Sequence, residues 1–434
     1  MSCSTFKATV GIPIFGLAFT SSKQLVMGGG GGAGRSGVKN RLSSYKVDVR
    51  RKDLEEDATF EFDAGEDAPM SLDAHPVDHF IVTGVNTSLE NMSEGRNENC
   101  RIFKIESDKI TLDKSTNTLS SKKQEDFQRV VRFSQDGTLV ATGTTDGKVH
   151  VFQYPGFDLL TEPIIVSTED EVLDVDFNLE KEKLTCCLRD GLKLINLRGK
   201  NIGQVVETIS TNSIVKNEKT QFRAFRYGRG YTKDFGFAIA NGITKPGSYV
   251  VKYDAYSFEQ LKVVYIGAKP VTAVTLSHDG SILAFGTADL SITLMDAQTL
   301  KVLYKVKDAH SFPITAIAFS PDRLLLASAS ADSTCCIVSL PLQFDNLSTI
   351  NPIYTVLLAL AIAGILLLVL SVLDLDAYFE EKLALSKAVV TDVVASSTVD
   401  AIVPAIATSI ESIETIVETI ISKAPIVTII KDEF

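Results

Sequence analysis

The sequence stretch that decides the fold is Phe133–Gly143, which reads Phe-Ser-Gln-Asp-Gly-Thr-Leu-Val-Ala-Thr-Gly. It recurs as Leu276–Gly286, and again as Phe319–Ala329 with Arg at the turn. Each copy combines a short strand, a tight turn of the Asp-Gly type and a second, apolar strand. A further turn and a third strand follow each copy, the third strands being Val149–Phe152, Ile292–Met295 and Cys335–Val338. The last two copies start 43 residues apart, which is a period typical of WD-repeat propeller blades.

Weaker copies extend this repeat over most of the chain. They lie at Asp78–Lys104, Val172–Asn196 and Phe222–Tyr256, and a first blade precedes them. Asp308–His310, ahead of the last blade, resembles the Gly-His position of a WD repeat, but the chain has no Trp and so no Trp-Asp dipeptide. We predict an all-β, seven-bladed WD-repeat β-propeller over residues 1–345. Six blades, or another all-β fold, are the alternatives.

The first blade contains an unusual glycine-rich segment at residues 28–40, Gly-Gly-Gly-Gly-Gly-Ala-Gly-Arg-Ser-Gly-Val-Lys-Asn. Ordering so many glycines costs much backbone entropy, so we expect bare backbone to approach something closely there. A disordered hairpin tip without a specific function is one alternative. A nucleotide-cradling loop is a third, but Gln24–Met27 and Leu42–Val49 predict strands on both sides, and no Gly-Lys-Ser/Thr follows.

Composition narrows the function classes. A net charge of −11 argues against a nucleic-acid binder. The six cysteines include the adjacent pairs 186–187 and 335–336, and neighbours in a strand point to opposite faces, so we expect buried free thiols from a reducing compartment. Five scattered His and no Ser/His/Asp set or metal spacing give no sign of an enzyme.

A predicted transmembrane helix covers Ile353–Leu373, twenty-one residues without a charge. The first ten residues lack a signal-peptide core, and the chain ends in Lys431–Phe434, similar to the Lys-Asp-Glu-Leu retrieval signal. We therefore expect a cytosolic N-terminus and a lumenal tail at 374–434. Heptad-like spacing of Ile and Val predicts an amphipathic helix at 405–423, a candidate for self-association.

These features together resemble one family. A divergent WD propeller, a first-blade loop of the form Gly-Gly-Gly-Gly-x-Gly-x-x-Gly-x-x-Asn, a C-terminal span and a lumenal tail are similar to the endoplasmic-reticulum exchange factors of the COPII coat GTPase, the prolactin regulatory element-binding protein family. Pro13, Phe15-Gly16 and Phe19 also look similar. Only the loop is specific at the level of single residues.

The resemblance implies a function and a site. It implies a guanine-nucleotide exchange factor, without covalent chemistry of its own, that activates a Sar-type small GTPase with COPII coat components at the endoplasmic reticulum membrane. A retrieval signal also implies passage through the early Golgi. Asn40, Val38 and Lys39 are the expected GTPase contacts, although Asn40 closing an ordinary turn is the alternative. A potassium ion is expected on backbone carbonyls of the loop, those of Gly29, Gly30, Gly31, Gly32, Gly34 and Gly37.

A second function class stays open from the sequence. The chain is then a membrane-anchored scaffold that binds the GTPase or coat components without driving exchange. The glycine segment favours the exchange factor, because a scaffold has no evident need for so costly a loop.

Overall fold

The computed structural model describes residues 3–34, 36–211, 214–215, 218–344, 359–365 and 384–385. Contacts divide the chain into two units, Met1–Asp345 and Asn346–Phe434. In the first unit, short turns and alternating apolar residues produce seven antiparallel sheets, five of which have all their strands in chain order. The predicted seven-bladed propeller is confirmed.

The strands of the first half are β1 (Thr5–Thr9), β2 (Ile14–Phe19), β3 (Gln24–Gly29), β4 (Arg41–Asp48), β5 (Asp53–Glu61), β6 (Ser71–Ala74), β7 (Phe80–Gly84), β8 (Cys100–Ile105), β9 (Ile110–Thr116), β10 (Gln128–Phe133), β11 (Leu139–Thr144), β12 (Lys148–Gln153), β13 (Asp158–Leu159) and β14 (Ile164–Ile165). Blade 1 is β2–β5, blade 2 is β6–β9, and blade 3 is β10–β14. The polar stretch 86–99 is an insertion in blade 2 between β7 and β8, and it contains the short helix α1 (Leu89–Ser93).

The strands of the second half are β15 (Asp174–Phe177), β16 (Lys183–Cys187), β17 (Gly191–Asn196), β18 (Val205–Ser210), β19 (Thr220–Tyr227), β20 (Phe235–Gly242), β21 (Ser248–Asp254), β22 (Gln260–Gly267), β23 (Val271–Leu276), β24 (Ile282–Thr287), β25 (Ile292–Asp296), β26 (Val302–Val306), β27 (Ile314–Phe319), β28 (Leu325–Ser330) and β29 (Thr334–Ser339). Blades 4, 5 and 6 are β15–β18, β19–β22 and β23–β26. Blade 7 takes β27–β29 and, as its outermost strand, the N-terminal β1. This closure of the ring by the N-terminus is absent from our sequence analysis.

Apolar side chains fill each interface between neighbouring blades. Seven buried clusters do this, one at each interface, so that blade 7 packs on blade 1 as blade 1 packs on blade 2. The adjacent cysteines show the alternation directly, because Cys335 packs toward blade 1 and Cys336 toward blade 6. All six cysteines are buried free thiols, as predicted.

The repeated sequence motif forms the turn between the first two strands of blades 3, 6 and 7. A serine hydroxyl donates to the aspartate two residues later, over 2.7 Å in Ser134–Asp136 and 2.6 Å in Ser277–Asp279. The next residue has a left-handed backbone, which Gly137 and Gly280 adopt without strain. Arg323 adopts the same conformation in blade 7.

Of the second unit, only residues 359–365 and 384–385 are described, and they are helical. The predicted span at 353–373 coincides with described residues only at 359–365, and the predicted helix 405–423 and the C-terminal signal lie outside the described residues. Among the residues that are described, no helix has the length and apolar character needed to cross a membrane. These boundaries remain predictions.

Candidate functional site

The glycine-rich segment lies between the second and third strands of blade 1. β3 ends at Gly29 and β4 begins at Arg41, and these two residues pair across the hairpin. We call the eleven residues between them, 30–40, the glycine loop. A strand follows the loop, so the helix N-terminus that a dinucleotide fingerprint requires is missing. The nucleotide-cradling interpretation is therefore wrong.

The Asn40 side chain closes the glycine loop from the inside. Its Oδ1 accepts the backbone N–H of Gly32 at 2.9 Å, and its Nδ2 donates to the Gly32 carbonyl at 3.0 Å. Nδ2 also donates to the Glu66 carbonyl at 2.8 Å, and Asn40 is only 8% exposed. An amide that both donates and accepts is needed for this arrangement. Asn40 therefore has the turn-closing role that we gave as the alternative, and its direct contact with a GTPase remains a prediction.

Gly29 at the end of β3 and two glycines of the loop are required by close packing against the chain itself. A Cβ on Gly29 would lie 1.9 Å from the Pro13 carbonyl oxygen. One on Gly30, whose φ is +149°, would lie 2.2 Å from Asn40 Oδ1, and one on Gly31 would lie 1.7 Å from Ser36 Oγ. By contrast, a Cβ on Gly34 meets nothing within 4 Å. The expected close approach of bare backbone is thus made within the molecule, which argues against a disordered tip.

The connection between blades 1 and 2 supplies contacts that the sequence analysis missed. Asp67 Oδ1 accepts the N–H of Ala33 at 3.1 Å, and its own position is fixed by the N–H of Ala68 at 2.8 Å. Beside it, the Glu66 carboxylate forms a largely buried ion pair with Arg101, with 2.5 Å between Oε1 and Nη2. The spacing along the chain gives no local motif, so only the acidic character of residues 61–67 hinted at this role.

Val38 and Lys39 lie on the outer side of the glycine loop. Val38 is 37% exposed. The Lys39 side chain is 73% exposed, and its Nζ lies 2.5 Å from Glu61 Oε2. Two of the three predicted contact residues therefore face solvent, where a partner can meet them, while Asn40 supports them from below.

The potassium ion predicted on carbonyls of the glycine loop remains a prediction. Gly30, Gly31, Gly34 and Gly37 lie in the loop with backbone carbonyls, and the Asp67 carboxylate adds a negative charge beside it. The other two predicted ligands are placed differently, because Gly29 belongs to β3 and the Gly32 carbonyl already accepts from Asn40. No group of three or more His, Cys, Asp or Glu side chains in the described part of the chain is arranged to hold a metal. A potassium site would thus rest on backbone oxygens and Asp67.

Comparisons with known proteins agree with the fold. The family model described as "WD domain, G-beta repeat" matches residues 115–153 and 300–339. The chain is also similar to Chaetomium thermophilum Raptor in its crystal structure, with a TM-score of 0.58 and 13% identity over 77% of this chain and 29% of that one. At that identity the likeness concerns the fold alone. The chain is thus a divergent WD-repeat propeller protein with an elaborated first blade.

Sequence comparison shows which WD-repeat proteins the chain is similar to. The chain is 25% identical over 353 residues to the guanine nucleotide-exchange factor SEC12 of Candida glabrata, which covers 78% of this chain and 72% of the relative. It is 23% identical over 328 residues to the protein named SED4 of the same yeast, but that match spans only 31% of the longer relative. The chain is thus similar to proteins named SEC12 or SEC12-like, including SEC12-like protein 2 of Arabidopsis thaliana at 24% identity over 69% of this chain.

Proposed function

We propose that the chain is a guanine-nucleotide exchange factor that activates a Sar-type small GTPase at the endoplasmic reticulum and so starts COPII vesicle formation. The observation that carries the proposal is the glycine loop, eleven residues closed by a buried amide where blades 3, 6 and 7 have short turns. The name guanine nucleotide-exchange factor, carried by the Candida glabrata relative, supports it as well.

The chain acts in this proposal as a regulator and takes no covalent step. A GTPase holds GDP through its phosphate loop and Mg²⁺, so weakening those contacts is enough to release the nucleotide. An exchange factor achieves this by binding the nucleotide-free form more tightly than the GDP-bound form. What the factor must supply is a surface of fixed shape, since a loop that reorganises on binding loses part of the binding energy to ordering.

The glycine loop has the features of such a surface. Asn40 and the close contacts at Gly30 and Gly31 hold its backbone, while Val38 and Lys39 present one apolar and one cationic side chain outward. In the proposal Val38 and Lys39 contact the GTPase, and Asn40 is a positioning residue that acts through the loop. Direct contact of Asn40 with the GTPase stays a prediction beside this positioning role.

A potassium ion bound by the loop's carbonyls and Asp67 is part of the proposal. When bound, the ion supplies positive charge that draws backbone oxygens together and stabilises the ordered loop by mass action. The chain's own residues do the rest: Asn40 fixes Gly32, and Asp67 fixes Ala33. The site is expected to prefer K⁺ over Na⁺, because carbonyl oxygens suit a weakly hydrated cation.

The test is GDP release from a purified Sar-type GTPase carrying fluorescent GDP. Full-length chain in detergent micelles is expected to accelerate release by about 10–100-fold, the range of typical coupling energies. Acceleration in K⁺ but much less in Na⁺ supports the ion as well as the activity. Binding of the GTPase without acceleration in either buffer leaves the scaffold as the function and contradicts the proposal.

The membrane topology belongs to the same proposal. We expect a cytosolic propeller, a span at 353–373, and a lumenal tail whose C-terminus returns the protein from the early Golgi. COPII coat components and a second copy of the chain are the further expected partners. Protease protection of the tail in sealed microsomes tests this orientation without any assay of exchange.

A further inference from the structure

The central channel of the propeller is strongly asymmetric in charge. The inner strands of blades 1, 6 and 7, which are β2, β23 and β27, contain no charged residue. In blades 3 and 5, by contrast, the inner strands carry Arg129 and Arg132, and Arg223 and Arg226. The spacing Arg-x-x-Arg is thus repeated at equivalent positions of two blades.

A β-bulge brings two of these arginines to the channel mouth. The register between the first two strands shifts at Arg129 in blade 3 and at Arg223 in blade 5, and at the uncharged Phe15, Thr272 and Thr315 in the other bulged blades. A bulge leaves its extra residue unpaired and re-aims its side chain. All five bulge residues line an opening of about 300 Å³. It lies on the rim where the second and third strands of each blade connect, which is also the rim of the glycine loop.

Behind this mouth lies a cavity of about 130 Å³ with an excess of positive charge. Its charged lining residues are the four arginines and a single carboxylate, that of Asp174. Asp174 is already paired with Arg226, and both side chains are more than nine-tenths buried. Within this lining one carboxylate thus faces four guanidinium groups, while Glu171, Asp73 and Asp176 act on the same arginines from outside it.

The remaining arginines are incompletely paired on the cavity side. Arg129 contacts Glu171 at 2.9 Å, but Glu171 is shared with Arg189, and Arg223 donates to the carbonyl of Thr272 at 2.6 Å. Arg132 has only weak ion pairing, since its carboxylate partners, Asp174 and Asp73, lie 3.7 and 3.9 Å away. Its Nε is buried and has no hydrogen-bond partner among the described residues.

The arginines are partly buried, with 25% of the Arg132 side chain and 30% of the Arg129 side chain exposed, and two of the four have lowered pKa values. Burial and the charge of Arg226 lower the pKa of Arg132, and burial and the charge of Arg129 lower the pKa of Arg223. Both shifts have the direction expected for cations that lack sufficient counter-charge. A buried cation of this kind is stabilised by an oxyanion that accepts from two or more guanidinium groups at once.

We propose that this cavity is a binding site for a phosphoryl oxyanion, held by Arg132 and Arg223 with Arg129 and Arg226 beside them. The volume equals that of about four waters, which admits one tetrahedral oxyanion but no nucleoside. Four guanidinium groups match a dianion better than a carboxylate, which one guanidinium fork already satisfies. Free phosphate and the terminal phosphate of a larger molecule entering through the mouth share this chemistry.

The experiment measures binding of radiolabelled inorganic phosphate to the full-length chain by equilibrium dialysis in detergent, at constant ionic strength set with chloride. We expect one saturable site per chain and a phosphate-dependent rise in the melting temperature. Arg132→Gln and Arg223→Gln should each weaken binding about tenfold, since each removes charge-assisted hydrogen bonds. Arg132→Lys keeps the charge but loses the forked guanidinium, so its phosphate affinity should lie between those of wild type and Arg132→Gln. Arg198→Gln, at an exposed arginine paired with Glu182, is the matched control and should bind as wild type.

Three outcomes overturn the proposal. The first is no saturable binding up to 10 mM phosphate, a concentration on the order of ten thousand times a micromolar Kd. The others are equal binding by all four variants, and competition by acetate as effective as that by phosphate. Competition by GDP assigns the source to a terminal phosphate, and its absence assigns it to the free ion. Because the assay contains no GTPase, its failure is distinct from a failure of the proposed function. Loss of folding in Arg132→Gln is recognised from its melting curve, and Arg223→Gln then decides.

Discussion

Blades 1 and 7 connect their second and third strands in opposite ways. In blade 7 the connection is the three residues Ala331–Ser333, and Asp332 within it accepts from Thr334 Oγ1 at 2.6 Å and from Ser311 N–H at 2.6 Å. Blade 1 uses the eleven residues of the glycine loop, closed by Asn40 at its end. The strands on either side pair alike, so the blade tolerates a long connection without losing its sheet.

The difference lies in where each connection finds its partners. The turn of blade 7 contacts the segment that enters its own blade from blade 6, where His310 also bridges Ser328 at 2.8 Å and Thr334 at 2.9 Å. The glycine loop instead reaches the segment leading to blade 2, through Glu66 and Asp67. We infer that the regular turns serve stability, whereas the glycine loop exists for the surface that it presents.

The largest expected effect comes from a single methyl group in the glycine loop. Gly30→Ala places Cβ 2.2 Å from Asn40 Oδ1 on a backbone with positive φ, so the loop must open, at a cost of about 3 kcal/mol. Gly34→Ala has free space and should cost almost nothing. Urea unfolding of both variants measures the difference. Equal stabilities would show that the loop is not held as described.

Removal of the Asn40 amide should cause the second-largest loss of stability. Asn40→Ala loses three hydrogen bonds and leaves buried backbone groups unpaired, a loss of about 2–3 kcal/mol. Asn40→Asp should be no better, because a carboxylate cannot donate to the Gly32 and Glu66 carbonyls. Hydrogen exchange by mass spectrometry should show faster exchange at residues 30–40, with the turn at 331–333 unchanged. Asn117→Ala, at an exposed asparagine, is the control, and protection that survives Asn40→Ala would contradict the assignment.

Mild acid should act on a regular blade and leave the glycine loop intact. Burial lowers the pKa of His150 in blade 3 to about 4, whereas the unfolded chain has an ordinary histidine near 6.5. Between these values only the unfolded state binds the proton, so stability falls as the pH falls through this window. From pH 7 to pH 5 the loss from His150 is about 2 kcal/mol.

The measurement is the urea midpoint of wild type and His150→Phe at both pH values. Burial lowers the pKa of His278 and His310 as well, so only the difference between the two proteins isolates His150. His79→Gln, at an exposed histidine, should follow wild type. A variant that loses as much stability as wild type would refute the pKa shift.

The smallest effect on stability is expected for the outer side of the glycine loop. Lys39→Gln removes an exposed ion pair with Glu61, which contributes little to folding. It should instead slow association with the GTPase several-fold and flatten the salt dependence of that rate, as loss of an interface charge does. Lys46→Gln, at an exposed lysine of the following strand β4 that is paired with Asp57, is the matched control. Identical rates for the two variants would remove Lys39 from the proposed contact.

How far the sequence predicts the molecule differs between these same regions. The turn chemistry of blades 3, 6 and 7 is local, so the repeats were recognised without Trp. Closure by β1 was missed because its partner β29 lies more than 300 residues away and β1 carries no motif. Likewise, Glu66, Asp67 and Arg101 carry no motif that links them to the glycine loop, so the loop's sequence did not indicate them.

The candidate site was only partly predictable. Its position followed from glycine spacing, and the outward placement of Val38 and Lys39 suits the predicted contact. The inward placement of Asn40 did not follow, because a hairpin asparagine can serve a partner or its own backbone equally well. The channel arginines did leave a signal in the repeated Arg-x-x-Arg of β10 and β19, which becomes meaningful only once both strands are known to line one channel.

The most direct test of the central claim, that the glycine loop is the exchange surface, is GDP release from a Sar-type GTPase with the pair Gly30→Ala and Gly34→Ala. Full-length proteins are compared at equal folded concentration in potassium buffer. We predict that Gly34→Ala accelerates release as wild type does, whereas Gly30→Ala loses at least about tenfold, since the contact surface is no longer held. Undiminished exchange by a folded Gly30→Ala protein would contradict the account and place the exchange surface elsewhere.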